Sequence, residues 1–365
     1  MIKKTFIFAC CLVFVFLGCT SEAPKTYSLF VGTYTNGESE GIYRYTFNTD
    51  KGTLEDTQLA ATLVNPSFLR ISPNKEYLYA VKDAPDRKGA MAGYRIKDGL
   101  LEEINSEVTN GPPFCHVGIS QNGRTLAASS YPGGSISIFR IDDKGKLLPD
   151  PQYIDHKIID TTKTSHAHAA KFTSDGLFVA DLGLDAVKRY VEGNERFAPA
   201  EQASLDLPEK AGPRHFTFSP DEKFLYVINE LNSTITVFER KANGDYKEVE
   251  TQNTLATGFD GKSYCADIHL SKDGQFLYGS NRGENTIVIF KVDIGSGKLN
   301  LVGRESVRGD WPRNFALDPT DGFLLVANQK SDNITVFQRD KQTGELTYLH
   351  ETKLSSPVCL EFLDL

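Results

Sequence analysis

Three arginines, Arg214, Arg282 and Arg313, lie far apart in the chain but stand at matching points of a repeated pattern, together with Glu230 and His168. A guanidinium is a planar fork that grips carboxylate, phosphate or a developing oxyanion through paired hydrogen bonds. Glutamate and histidine are the side chains most often set to move a proton near neutral pH. Gathered in one place, the five would suit a ligand of one or two negative charges and a step that needs an acid or a base. His116, His215 and Asn314 occupy neighbouring points of the same pattern and, with Arg313, are expected to bind the ligand or support the site. The plain alternative is that the arginines and Glu230 only pair with one another; three arginines against so few carboxylates leave positive charge to spare.

Other chemistry is less well supported. His166-Ala167-His168 puts two imidazoles at period two on one strand, as a metal pair would be, but the spacing offers no third ligand. His269 follows Asp267 closely and reads as a satisfied core histidine, while His156 and His350 have no informative neighbours. No Gly-x-Ser-x-Gly nucleophile elbow, phosphate loop or dinucleotide fingerprint occurs, so neither a cofactor nor a metal is expected.

The elements that must position these residues repeat. An apolar strand, a Ser-Pro-Asp-like turn and a second apolar strand recur, most clearly as FTFSPDEKFLYVINE (216–230), IHLSKDGQFLYGSNR (268–282) and FALDPTDGFLLVANQ (315–329). Weaker copies cover 69–83, 117–131 and 170–182. Aligned on Leu29, Leu78, Leu126, Leu177, Leu225, Leu277 and Leu324, the second strands are spaced 47 to 52 residues apart. Each copy continues into a third alternating strand, such as TITVFER (234–240), and a fourth, more polar one. A four-stranded sheet cannot bury both faces alone; set radially, each covers the next. Seven copies of four strands therefore predict an all-β fold, a seven-bladed β-propeller with four antiparallel strands per blade. The first copy lacks a first strand, and the C-terminal SPVCLEF (356–362) supplies one, so the C-terminal strand is expected to close the first blade. In this geometry first-strand starts and second-strand ends ring one mouth of the central channel. Those rows hold Cys115, His116, His168, Arg214, His215, Arg313 and Asn314 on one side, and Tyr34, Tyr131, Asp181, Glu230, Arg282 and Gln329 on the other.

The composition agrees. Of 365 residues, 40% are hydrophobic and 24% charged, which suits a globular chain and excludes disorder. A net charge of −8 argues against nucleic acid as a partner. The first residues, MIKKTFIFACCLVFVFLGC, join a basic start to a short apolar run ending Leu17-Gly18-Cys19. That ending resembles a bacterial lipobox and implies cleavage before Cys19 and lipidation of its thiol. The expected division is a lipoprotein signal peptide at 1–18, a short linker at 19–26 and the propeller at 27–365. The expected location is the cell envelope, with the lipid as the only membrane contact, or the cytoplasm if the signal is not used. Cys115, Cys265 and Cys359 then remain, odd in number and widely spaced, and are read as small buried apolar residues. Oligomeric state has no signature.

From about Tyr27 onward, VGTYT (31–35), GPPFCHV (111–117), GPRHFTFSPDEKFLYVINE (212–230), LYGSNRG (277–283) and WPRNFALDP (311–319) resemble the bacterial propeller-type 6-phosphogluconolactonase family, which is related to the carboxy-cis,cis-muconate lactonizing enzyme. The resemblance implies a lactone hydrolase turning 6-phospho-D-glucono-1,5-lactone, or a related sugar-acid lactone, into the open acid. It places the family's catalytic His, two Arg and Glu on His168, Arg214, Glu230 and Arg282. Glu230 or His168 would act as general base, with the arginines holding the anionic group and the oxyanion. The alternatives are a muconate-type cycloisomerase using the same arginines, and a propeller lipoprotein that binds a small anion or a protein without turning it over. An export signal fits poorly with an intracellular phosphorylated substrate: either the signal is not used, or the chain acts on another sugar lactone or related acid outside the cytoplasm.

Overall fold

The computed structural model describes residues 1–2, 25–194 and 196–364. The expected targeting segment from residue 3 onward, Cys19 included, lies outside the described residues.

Strand formation follows the apolar alternation, and the turns between first and second strands have a side-chain mechanism. Between the strands Pro213–Phe218 and Phe224–Asn229, Ser219 Oγ donates to Asp221 Oδ1 at 2.6 Å and accepts from the Phe224 N–H at 2.9 Å. Asp221 Oδ1 also accepts from the Lys223 N–H. The same turn recurs at Ser271 with the Asp273 carboxylate, and at Ser72 with the Asn74 amide oxygen in its place. Each satisfies backbone N–H groups that the ladder leaves unpaired.

The strands assemble into seven four-stranded antiparallel sheets. Blade 1 takes its innermost strand from the C-terminus: Pro357–Leu363 pairs antiparallel with Thr26–Thr33, with Leu29 opposite Phe362 and Val31 opposite Leu360. The innermost strands of the other blades are Leu69–Ile71, His116–Ile119, Ala167–Thr173, Pro213–Phe218, Tyr264–Leu270 and Pro312–Leu317. Each touches the innermost strand of the next blade, around one unbroken circle. There is no α-helix among the described residues, only two short 3₁₀ turns at Pro85–Arg87 and His156–Ile158.

The apolar core lies between the blades. Phe178, Val187 and Leu205 of blade 4 pack with Phe216, Leu225 and Phe238 of blade 5; Phe276, Tyr278 and Ile289 of blade 6 pack with Phe315, Leu324 and Phe337 of blade 7. Each such side chain, fully buried, contributes about 1.5–3 kcal/mol. The neighbour's hairpin must come close. A Cβ added to Gly344, which has φ +78°, would meet the Phe276 ring at 2.3 Å. Beside it, Tyr278 Oη donates to the Gly344 carbonyl at 2.9 Å. The blades are thus fixed to one another near their outer hairpins, leaving the inner strand ends to carry the site.

Candidate active site

The innermost strands carry β-bulges where the candidate residues stand. Register shifts fall between Ala167 and Ala169, between Pro213 and His215, and between Pro312 and Asn314. His168, Arg214 and Arg313 are the extra residues. A bulge leaves one residue out of the ladder and re-aims its side chain, here into the channel mouth. Glu230 and Arg282 reach the same mouth from the ends of the second strands Phe224–Asn229 and Phe276–Arg282.

These five line one cavity of about 340 Å³ with Tyr34, Ser67, Asp83, Pro113, Phe114, Cys115, Tyr131 and Pro132. A larger hollow of about 620 Å³ opens elsewhere, around Val108, Pro149 and Tyr153, but none of the five lines it. Asp83 ends its repeat copy where Glu230 ends its own, so the row of second-strand ends contained that signal. Ser67 and Phe114 lie ahead of first strands and had none. His116, His215 and Asn314 do not line the cavity; they are buried behind it. Asp181 does not face it either. Its carboxylate accepts from Ser165 Oγ, the His166 N–H and the Leu184 N–H, and it pairs with His156 Nδ1 at 2.8 Å. His156 Nε2 meets Tyr190 Oη at 2.8 Å, which gives His156 the context that the sequence lacked. Cys265 and Cys359 are buried as expected, but Cys115 is only partly so and lines the cavity. Burial pushes the Cys115 thiol up to about 11, so it stays protonated and is not a nucleophile at neutral pH.

The arginines and Glu230 form one unit. Glu230 Oε2 lies 2.9 Å from Arg214 Nε and 2.9 Å from Arg282 Nη2. The Arg214 Nε–H is angled away from a hydrogen bond, so that contact is an ion pair. Backbone carbonyls complete the orientation: Arg214 Nη1 donates to Ala266 O at 2.6 Å, and Arg282 donates to Tyr264 O at 3.2 Å and Cys265 O at 3.0 Å. Arg282 also lies over the Trp311 ring and Arg313 over the Tyr34 ring. Burial, with Arg282 and Arg313 close by, lowers the proton affinity of Arg214, and Glu230 and Asp267 oppose this; a guanidinium so paired stays charged. The pairing of arginine with Glu230 is therefore real, yet one carboxylate serves two arginines and Arg313 takes no part in it.

His168 is held neutral. Burial, then Arg214, His215, Arg313 and His116, put its imidazole well below the usual range. His116 is lowered in the same way by burial and then His215 and Arg70, and His215 falls to about 3 through burial and Arg214. His166, by contrast, stacks on Tyr131 with ring centroids 4.3 Å apart and bonds the Tyr131 carbonyl, so the two imidazoles of this strand do not act as a pair. Among the described residues no group of three or more His, Cys, Asp or Glu is arranged to hold a metal ion.

The three neutral histidines have a consequence for stability. Once unfolded, each takes up a proton near pH 6.5. Below that pH the unfolded chain binds more protons than the native one, so stability falls as the pH drops from about 6.5 towards the folded values. The slope is up to about 1.4 kcal/mol per pH unit for each histidine. Thermal unfolding is expected to show Tm falling steadily from about pH 6.5 to pH 5; a flat Tm would mean that the imidazoles are not held neutral.

A closed seven-bladed wheel with arginine, carboxylate and neutral imidazole gathered at its hub is the architecture of a lactonase propeller. The family described as "Lactonase, 7-bladed beta-propeller" matches residues 28–362, and the chain belongs to it. The chain is 35% identical over 343 residues to a 6-phosphogluconolactonase of Bacillus subtilis, a match covering 92% of this chain and 97% of that protein. It is 36% identical over 337 residues to a 6-phosphogluconolactonase of Formosa agariphila, covering 88% and 95%. The solved structure of the periplasmic gluconolactonase PpgL of Pseudomonas aeruginosa is similar with a TM-score of 0.87 and 36% identity, over 92% of this chain and 99% of that one. The protein is a lactone hydrolase, a carboxylic ester hydrolase in class.

Proposed function

We propose that the hub cavity hydrolyses an aldono-1,5-lactone, and that the chain works in the cell envelope, where the unphosphorylated sugar lactone is the form it meets. The observation that carries this reading is the shared Glu230 oxygen: it fixes Arg214 and Arg282 side by side, next to a neutral His168. With His168 uncharged, three arginines face Glu230 and Asp83, which leaves about one positive charge in the lining. That matches the single charge of a tetrahedral oxyanion formed from a neutral lactone. The lipobox-like Leu17-Gly18-Cys19 supports export.

Water adds to the lactone carbonyl while His168 accepts its proton. The oxyanion forms against Arg214 and Arg282, whose positions are set beforehand by Glu230 and by the carbonyls of Ala266, Tyr264 and Cys265. Collapse breaks the bond to the ring oxygen, which leaves as an alcohol after taking the proton back from His168. Water and lactone give the aldonate and one proton to solvent. The bound oxyanion also offsets the arginine field that, after burial, keeps His168 neutral, so the imidazole becomes a better base as the reaction proceeds.

Arg313, free of Glu230, is the group that would read a distal phosphate. Acid release from glucono-1,5-lactone and from its 6-phosphate, corrected for spontaneous opening, tests both points. Both are expected to be hydrolysed. Arg313→Ala should lower kcat/KM for the 6-phosphate by about 10- to 100-fold more than for the unphosphorylated lactone, the worth of one charged hydrogen bond. Equal losses on the two substrates would remove Arg313 from phosphate recognition. Turnover of a carboxymuconate with neither lactone opened would replace hydrolysis by cycloisomerisation.

A further inference from the structure

Behind the cavity lies a polar cluster that the steps above leave unused. Asp267, 3% exposed, sits at the register shift of the innermost strand of blade 6. Its Oδ1 accepts from His215 Nδ1 at 2.7 Å and from the Ile268 N–H at 3.0 Å. Its Oδ2 accepts from His269 Nε2 at 2.9 Å, from Asn314 Nδ2 and from the Phe315 N–H at 3.3 Å. Burial works against the charge, but His269, His215 and these donors hold the carboxyl well below the usual range. An ionised carboxylate only accepts. The proton of neutral His215 therefore sits on Nδ1, and its Nε2 is a bare lone pair.

That Nε2 is buried without a partner, as are His116 Nε2 and His168 Nδ1. The His215 ring centroid lies 5.2 Å from that of His168 and 5.3 Å from that of His116. His116 Nδ1 accepts from the Ala170 N–H at 3.3 Å, so its own proton is on Nε2. A buried polar group left unpaired costs about 1–3 kcal/mol. One lone pair thus faces imidazoles that lower the energy of the cluster by presenting protons to it.

We infer that Asp267 and His215 act as positioning residues for His168: the His215 Nε2 lone pair draws the proton of His168 onto Nδ1, directly or through one water, and leaves the His168 Nε2 lone pair facing the lactone. The inference rests on His168 as the base of the proposed reaction. In the reaction His168 Nε2 gains the proton of water, and the imidazolium keeps its Nδ1–H bonded towards His215. The Asp267 charge stabilises that imidazolium through the intervening ring, and no proton travels to Asp267. A water taking both imidazole protons and donating to His215 would satisfy all three buried nitrogens.

Long-range ¹H–¹⁵N correlation spectra of the full chain labelled in histidine read the tautomers, with peaks assigned from single-histidine variants. The expected result is Nδ1–H for His168 and His215 and Nε2–H for His116. A proton on His168 Nε2 would overturn the relay, while the rate of His168→Ala reads the base role separately. Activity gives an independent reading. His215→Phe keeps a flat ring and deletes the lone pair; kcat is expected to fall about 10- to 100-fold with KM within about twofold. His215→Gln restores a side-chain acceptor and should recover part of the loss. Unchanged kcat in a folded His215→Phe protein would contradict the inference, whereas full activity in His168→Ala would remove the base role and leave the tautomer result untouched.

Discussion

Arg214→Ala is expected to lower kcat for lactone opening by about 100- to 1,000-fold, the usual loss on removing one preorganised oxyanion donor. The side chain is 2% exposed and held from both ends, by Glu230 through Nε and by the Ala266 carbonyl through Nη1. Little reorganisation is then needed as charge develops on the substrate. Arg282 stays bound to Glu230 through its own contact and to Tyr264 and Cys265, so the remaining half of the clamp survives. The loss should therefore appear mainly in kcat, and the variant should still bind product. Steady-state rates on the lactone, with a thermal melt to show that the protein is folded, check this. A fall in stability with an unchanged kcat would make Arg214 a structural residue of the hub.

His168→Ala is expected to cost about 100- to 10,000-fold in kcat, the contribution of a positioned proton-transfer group. The lowered proton affinity of His168 gives this loss a pH signature. Below the ordinary imidazole value the wild type still has its base in the neutral form, so its rate should hold through pH 6 and decline only in more acidic solution. The variant should lose that acidic limb and follow the spontaneous rate. Rates measured from about pH 5 to pH 8 decide the matter. A wild-type limb centred at the ordinary value near 6.5 would mean that burial and the arginine field do not hold His168 neutral.

The wheel was legible because its cause is periodic. Apolar strands of even spacing and recurring turns like Ser-Pro-Asp are local signals, and the missing first strand of the first copy pointed to its partner at the C-terminus. The mouth was legible for the same reason: a residue's place in its copy fixes its end of the blade. That rule placed His168, Arg214, Glu230, Arg282 and Arg313 around one opening. It also contained Asp83, which ends its copy as Glu230 does. What the rule lacked was depth. His116, His215 and Asn314 share the first-strand row with the arginines but are buried behind the cavity; for His215 and Asn314 the bulges at Arg214 and Arg313 turn adjacent residues to different levels. A bulge depends on the pairing register and has no one-residue signature. Asp181 failed for a different reason: its carboxylate is consumed by Ser165, His166, Leu184 and His156, partners set by loop packing. Nor could spacing show that one oxygen of Glu230 serves two arginines.

A crystal structure with gluconate bound would show whether the hub performs the hydrolysis. The product carboxylate is expected between Arg214 and Arg282, within hydrogen-bond distance of both, and the hydroxyl released from the ring oxygen beside His168 Nε2. Gluconate bound away from the hub, or at the hub with its carboxylate on Arg313 and its chain turned from His168, would contradict it.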